Sequence, residues 1–171
     1  EVDLETVLAS ACLPNVFKAV EIGGEHYWDG GFMGNPPLFP LIYRGASQDI
    51  VIVHINPLDR AEVPTTAPEI FDRMNEISFN ASLLGELRAI AFVARLVEFG
   101  AVAPGRYKQM LIHSILDEKE MSLHGVASKL NPDWTFLCHL RDAGRRAANA
   151  WLEHHRDKVG NESSIDISRF L

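Results

Sequence analysis

The apolar pattern of the chain has two dominant features, which predict different secondary structures. Residues 49–55 form a nearly unbroken β-branched run, DIVIVHI. Such a run without polar alternation is typical of a strand that is buried on both faces of a parallel sheet. Between residues 68 and 99 the apolar positions instead recur at spacings of three and four, which predicts a long amphipathic helix. The two patterns together predict an α/β fold with a parallel, helix-covered sheet.

Six further elements are predicted from local signals. They are a helix from Leu4 to about Ala11 behind the cap Asp3, two strands at 16–22 and 25–28 joined at Gly23-Gly24, a helix from Pro36 to Arg44 ended by Gly45, a strand at 107–115, and a helix from Asp133 to Val159. Asn35 is predicted to be the N-cap of the helix that Pro36 opens. The long helix has an alternative with a break near Asn80 or Gly85, and another as a lid that touches lipid.

Composition narrows the class of protein. The 171 residues suffice for one domain with a core, and 47% of them are apolar. A net charge of −7 argues against nucleic-acid binding. No uninterrupted apolar run reaches the roughly 20 residues of a membrane span, so no transmembrane segment is predicted. The sequence does not indicate a localisation.

Cysteines and histidines give no sign of a metal or cofactor site. Cys12 and Cys138 are predicted to be free thiols, with a disulfide between them as the alternative. His54, at the end of the buried strand, is predicted to be a core or loop residue. His154 and His155 are adjacent, so on a helix they point about 100° apart and form no two-ligand face. We therefore predict no metal and no cofactor.

The candidate chemistry lies in a glycine-rich loop, YWDGGFMGNPPL, at residues 27–38. Asp29 leaves an apolar strand and is followed by Gly30 and Gly31. Without a Cβ these glycines can take positive φ and allow close approach of a neighbour or substrate. Asp29 is either a carboxylate held for catalysis on a loop or a turn residue that stabilises its own backbone.

Three features resemble the second half of a patatin-like phospholipase. They occur in the family's order: Ala9-Ser10-Ala11 ahead of Pro14 and Phe17, then Asp29-Gly30-Gly31, then Asn35-Pro36-Pro37. The resemblance continues more weakly at residues 77–84 and 130–134. It implies a three-layer α/β/α fold with a mostly parallel sheet. It also implies hydrolysis of acyl lipid esters by a serine–aspartate dyad without histidine, in which Asp29 is the base.

The chain departs from the family pattern because it contains no G-x-S-x-G nucleophile motif and no glycine-rich oxyanion loop. The nearest candidate, GASQD at residues 45–49, lacks the closing glycine and follows the Asp motif instead of preceding it. We therefore expect residues 1–171 to be the C-terminal portion of a single patatin-like domain, inactive alone.

The expected partners are an N-terminal segment of the same protein carrying G-x-S-x-G, an acyl lipid or phospholipid substrate, and transiently a membrane surface. Two alternatives to hydrolysis stay open. One is an acyltransferase that uses the same dyad, and the other is a non-catalytic interaction or storage domain.

Overall fold

The computed structural model describes residues 2–14, 16–103 and 105–171 of the chain. The helices are α1 (Leu4–Ala9), α2 (Phe39–Arg44), α3 (Ala67–Glu98), α4 (Glu118–Met121) and α5 (Trp134–His155). The strands are β1 (Val20–Ile22), β2 (Glu25–Tyr27), β3 (Asp49–His54) and β4 (Leu111–Leu116). Short 3-10 turns lie at Gly30–Phe32, Val126–Leu130, Arg156–Lys158 and Ile167–Phe170. The predicted mixture of helices and strands is confirmed.

β3 and β4 form a two-stranded parallel sheet with helices on both of its faces. Their register runs from Asp49 beside Leu111 to His54 beside Leu116. One face packs against α3, and the other carries His113 of β4, whose ring meets Trp151 of α5 edge-on at 5.8 Å. The core therefore sits between the sheet and α3, and its buried members are Leu38, Ile50, Ile52, Leu83, Leu87, Ile90, Met110 and Ile112.

The prediction that β3 is buried on both faces is wrong for the residues that the structure describes. Burial alternates along the strand, and Val51 and Val53 are 46% and 68% exposed. Strand length and β-branched composition were interpreted correctly, but α5 packs over β4 and leaves the same face of β3 largely uncovered. The unbroken apolar run of β3 thus belongs to a strand whose second face is not covered by other elements within the described ranges.

The two outer edges of this sheet also differ. The backbone of Ile112 in β4 accepts from the N–H of Ser164 and donates to Ser163 Oγ, so the C-terminal tail covers that edge. The outer edge of β3 has no strand beside it among residues 2–14, 16–103 and 105–171. β3 is therefore an edge strand with one apolar face exposed.

The N-terminal part is a small separate hairpin whose turn follows the prediction. β1 and β2 pair antiparallel, with Val20 beside Tyr27. Gly23 and Gly24 have φ of +61° and +85°, the left-handed region that a two-residue turn requires. The first strand was predicted to begin at residue 16, but it begins at Val20.

The start of α2 differs from the prediction as well. Asn35 is not an N-cap, and Pro36 does not open a helix; α2 begins at Phe39 behind Leu38, and the Asn35–Pro36 peptide bond is cis. The intervening backbone is bonded to α3 instead, because the N–H of Leu38 donates to Glu86 Oε2 at 2.9 Å. A tertiary contact has thus replaced the first helical turn.

α3 is continuous, so neither predicted break occurs. Thr66 and Glu69 form a capping box at its start, and the helix runs through Asn80 and Gly85. By length and composition alone α3 is long and apolar enough to cross a membrane, and the prediction of no transmembrane segment stays a prediction. Core helices of soluble proteins pass the same test, and here Leu83 and Leu87 pack against the sheet.

The remaining bounds agree with the predictions to within a few residues. β4 begins at Leu111 rather than at residue 107, and α5, predicted over Asp133 to Val159, spans Trp134–His155 with Asp133 as its N-cap. Asp117 caps the short helix α4. Cys12 and Cys138 are free thiols, as predicted.

Candidate active site

Asp29 lies where β2 ends, and the fold holds its carboxylate by one oxygen. The N–H of Gly31 donates to Asp29 Oδ1 at 2.7 Å, which starts the 3-10 turn Gly30–Phe32. The N–H of Asp29 donates to the carbonyl of Cys12 at 2.9 Å, so the loop is tied to the end of α1. Oδ2 accepts no hydrogen bond from the described residues. The half-buried side chain therefore has one fixed and one open oxygen.

The two glycines after Asp29 have different reasons to be glycine. Neither has positive φ, so the predicted left-handed backbone is not what they supply. A Cβ on Gly31 would stand 3.1 Å from Asp29 Oδ1 and 3.5 Å from Cε1 of Phe79. A Cβ on Gly30 would meet nothing within 4 Å in the described structure. Close approach therefore constrains Gly31 alone.

An aromatic and cationic pair connects this loop to α3. The ring of Phe32 lies 5.1 Å from the ring of Phe79 on α3. Nζ of Lys129 stands 4.7 Å from the centre of the same Phe79 ring. Desolvation by the surrounding protein lowers the pKa of Lys129. Phe79 thus contacts both Phe32 of the Asp29 loop and the partly desolvated ammonium of Lys129.

A cavity of about 290 Å³ lies at the carboxyl ends of β3 and β4, and Lys129 forms part of its wall. Ligands of open α/β sheets bind at this edge of the strands. The apolar wall consists of Val53, Ile55, Met121, Val126, Ile115 and Leu140. Lys129 thus belongs both to the cavity wall and to the Phe79 contact, whereas neither Phe79 nor any residue from Asp29 to Phe32 is among the described residues that line the cavity.

Gly144 of α5 lines this cavity. A Cβ at Gly144 would meet nothing within 4 Å among the atoms described. The glycine widens the cavity and no neighbouring backbone demands it.

The polar wall of the cavity includes Glu76 of α3 and His54 of β3, and both have hydrogen-bond partners within the protein. Burial raises the pKa of Glu76, but hydrogen bonds from Arg60 and Arg73 outweigh that effect and hold it below its usual value. Asn80 Oδ1 lies 3.2 Å from His54 Nε2, and Asn80 Nδ2 donates to the carbonyl of Pro57. His54 is thus a buried, hydrogen-bonded residue of the core, one of the two roles predicted for it.

Ser47, in the nearest match to a nucleophile motif, is not part of this site. Its Oγ accepts from the N–H of Asp49 at 3.0 Å, at the amino end of β3. The cavity lies at the opposite end of that strand. The described structure therefore brings no serine of a G-x-S-x-G motif to Asp29.

Phe79 and Lys129 were not predicted as site residues. Phe79 lies within the stretch 77–84 that weakly resembles the family, and this was the signal that could have indicated it. Lys129 is 50 residues farther along the chain, and no spacing relates it to Asp29.

Comparison with known proteins gives one match. The family described as patatin-like phospholipase matches residues 4–42, a segment that contains α1, the hairpin, Asp29-Gly30-Gly31 and Asn35-Pro36-Pro37. The resemblance predicted from these motifs is confirmed over that segment. No curated protein and no solved structure matches the chain.

Proposed function

We propose that this chain supplies the aspartate base of a serine–aspartate dyad in a lipid acyl hydrolase of the phospholipase A or esterase type. The observation that carries the proposal is the state of the Asp29 carboxylate. Gly31 fixes Oδ1, and Oδ2 is left without a partner in the described structure. The family match over residues 4–42 points to the lipid hydrolases and includes Asp29.

In the proposed reaction the nucleophile is a serine on a segment outside residues 1–171, within a G-x-S-x-G motif. Its Oγ attacks the ester carbonyl while Asp29 Oδ2 accepts the hydroxyl proton, and the lipid leaves as an alcohol that takes a proton back. Water then hydrolyses the acyl-serine to the free fatty acid. A carboxylate with an ordinary pKa of about 3.9 is a weak base, so it must be close, oriented and shielded from water.

Two features of the described structure support a lipid substrate. The cavity that Lys129 lines offers an apolar wall of Val53, Ile115 and Leu140, which suits an acyl chain. The exposed side chains of Trp28 and Met33 flank Asp29 in the same loop. They support a transient contact of this loop with a lipid surface, because exposed apolar patches mark such contacts.

The sheet supports the further proposal that an N-terminal segment completes a patatin-like three-layer fold. The outer edge of β3 and its exposed Val51 and Val53 offer both hydrogen-bonding groups and apolar surface to an additional strand. An uncovered edge of this kind otherwise pairs with other chains. The covered edge of β4 leaves β3 as the side of the sheet where such strands would join.

The test is Asp29→Asn in a protein that includes the G-x-S-x-G segment. Asparagine keeps an oxygen to accept from Gly31, so the loop is retained, but the amide cannot take the serine proton. Loss of a general base lowers kcat by about 100-fold or more. Hydrolysis of a p-nitrophenyl ester measures this effect, with Glu21→Gln on the exposed hairpin as the matched control. Full activity in Asp29→Asn would refute the assigned role.

The lack of a G-x-S-x-G motif in residues 1–171 is the one observation that favours the non-catalytic alternative. A protein that contains no such motif anywhere cannot form the dyad, and its full sequence decides this point. Where the motif is present, product analysis with a competing alcohol distinguishes hydrolysis from acyl transfer.

A further inference from the structure

Two histidines converge on one carboxylate oxygen, and one of them, His124, lines the cavity. Glu120 Oε1 lies 2.9 Å from His124 Nε2 and 2.6 Å from His139 Nε2. Glu120 belongs to α4, His124 follows it by one helical turn, and His139 comes from the second turn of α5. The three ligand atoms lie within 4.8 Å of one another. We propose that Glu120, His124 and His139 bind a divalent cation of the zinc class.

The donor set selects the type of metal. Two imidazole nitrogens and one carboxylate oxygen are ligands that Zn²⁺ takes in three-ligand sites, with a fourth position left for water or another group. Mg²⁺ and Ca²⁺ prefer shells made of oxygen alone, so they are poor candidates.

The present spacing needs only a small adjustment to accept the ion. Metal–ligand bonds of about 2.0–2.1 Å in a tetrahedron place two donor atoms about 3.3 Å apart. The separations of 2.9 and 2.6 Å must therefore open by several tenths of an ångström. His139 can provide this movement because its side chain is 51% exposed on the helix surface. The proton now on each Nε2 would pass to Nδ1 or to solvent when the metal binds.

The other two ligands are already positioned by neighbouring groups. Asp117 Oδ1 accepts from the N–H of Glu120 at 3.0 Å, which fixes the first turn of α4. The ring of His124 stands edge-on to Phe136 of α5 at 5.3 Å. Partners that orient ligands in this way support metal affinity. Two half-buried, oriented ligands and one exposed ligand thus form the site.

The position of the site gives the metal a structural consequence. His124 and Met121 line the cavity, and the segment from α4 to Lys129 forms one of its walls. In the described structure, hydrogen bonds between Glu120 and His139 join this segment to α5. A coordinated ion would replace the 2.6 Å contact by bonds to both elements. It would therefore cross-link α4 to α5 and fix that wall. The inference does not depend on the proposed hydrolase reaction.

Zinc binding is tested on the full-length chain after removal of metal with a chelator. Isothermal titration with ZnCl₂ measures stoichiometry and Kd, and the absorption of added Co²⁺ reports coordination geometry. We expect one ion per chain with micromolar or tighter affinity. Glu120→Gln and His139→Gln should each weaken binding by about 100-fold or more, since loss of outer-shell partners alone costs 10–100-fold. His154→Gln is the control on the same helix, about four turns away.

The outcomes separate this site from non-specific binding. Equal zinc affinity in Glu120→Gln, His139→Gln and the parent would overturn the proposal, and so would the absence of saturable binding. Should Glu120→Gln fail to fold, His139→Gln keeps the test valid because its side chain is exposed. Hydrogen exchange supplies an independent check. Zinc should slow exchange in Glu118–Met121 and the first turns of α5, and slowing confined to other regions would contradict the assignment.

Discussion

Gly31→Ala, compared with Gly30→Ala, tests whether the close approach at Asp29 matters. The two glycines are adjacent, lie in one 3-10 turn and have negative φ. They differ in what a methyl group would meet. At Gly31 it would stand 3.1 Å from Asp29 Oδ1, whereas at Gly30 it would meet nothing within 4 Å in the part of the chain described. The pair therefore isolates crowding of the carboxylate from the general effect of replacing glycine.

The magnitude follows from this contact. An unstrained carbon–oxygen separation is about 3.4 Å, slightly below the carbon–carbon optimum, so the carboxylate must move by about 0.3 Å. Replacing glycine by alanine stabilises the fold by about 0.4–1 kcal/mol through the unfolded state. At residue 31 the crowding of the Asp29 carboxylate costs about 1 kcal/mol, the low end of the range for overpacking, and so offsets this gain in stability. Gly30→Ala should thus gain stability, and Gly31→Ala should stay near the parent.

Activity should separate the two variants more clearly than stability does. A misplacement of about 1 Å at a catalytic group costs about 100-fold, so 0.3 Å corresponds to about 4-fold in kcat/KM. The assay is ester hydrolysis by the protein that includes the G-x-S-x-G segment, alongside urea unfolding. We expect Gly30→Ala to keep the parent's kcat/KM. Equal stability and equal activity in the two variants would refute the argument that contact with Asp29 requires glycine at residue 31.

Two further predictions concern stability and use unfolding measurements. Asp49 accepts from the N–H of Gly160 at 2.8 Å and pairs with His113 at 2.9 Å, and these contacts lower its pKa in the folded protein. Their contribution is therefore complete above the unfolded pKa of about 3.9 and is lost as the pH falls through the lower folded value. Asp49→Asn should be less stable than the parent at neutral pH, with a difference that shrinks on acidification; urea unfolding across this range checks it, and a constant difference would count against it. Gly144→Ala should stabilise α5 by about 1 kcal/mol, because helix propensity favours alanine. A thermal melt should then show a midpoint about 2–4 °C higher, and a lower midpoint would contradict the open space beside Gly144.

The elements that were predicted correctly are those with local causes. α3 was expected over residues 68–99 and spans Ala67–Glu98, because its apolar spacing and its Thr66–Glu69 cap lie within the segment itself. The hairpin turn followed from Gly23-Gly24, whose positive φ is a property of two adjacent residues. Where a few neighbouring residues determine the backbone, the sequence is enough.

The start of α2 and the burial of β3 failed for the opposite reason. The N–H of Leu38 donates to Glu86, 48 residues away. Leu38 is therefore not part of the helix that was expected to begin at Pro36. Val51 and Val53 are exposed because α5 lies over the neighbouring strand. The position of α5 cannot be predicted from the residues of β3 alone. An apolar run therefore indicates that a strand is suited to burial on both faces, but it does not show whether another element of the described chain covers it.

The same distinction between local and distant causes applies to the residues of the candidate site. Asp29 could be predicted because its motif is contiguous and carries a family resemblance, whereas Phe79 and Lys129 join it only through the packing of α3 and the segment after α4.

The distinction between the contiguous motif and the residues brought in by packing matters for how the site would work. The contiguous part fixes one oxygen of the carboxylate, and the packed part brings Phe79 to the loop and Lys129 to Phe79. A base also needs a nucleophile and oxyanion donors at short range, and neither follows from the 171 residues. In the described structure Asp29 Oδ2 has no hydrogen-bond partner, and the outer edge of β3 has no neighbouring strand. A segment that carries both a strand and a nucleophile elbow would supply the missing partner of each.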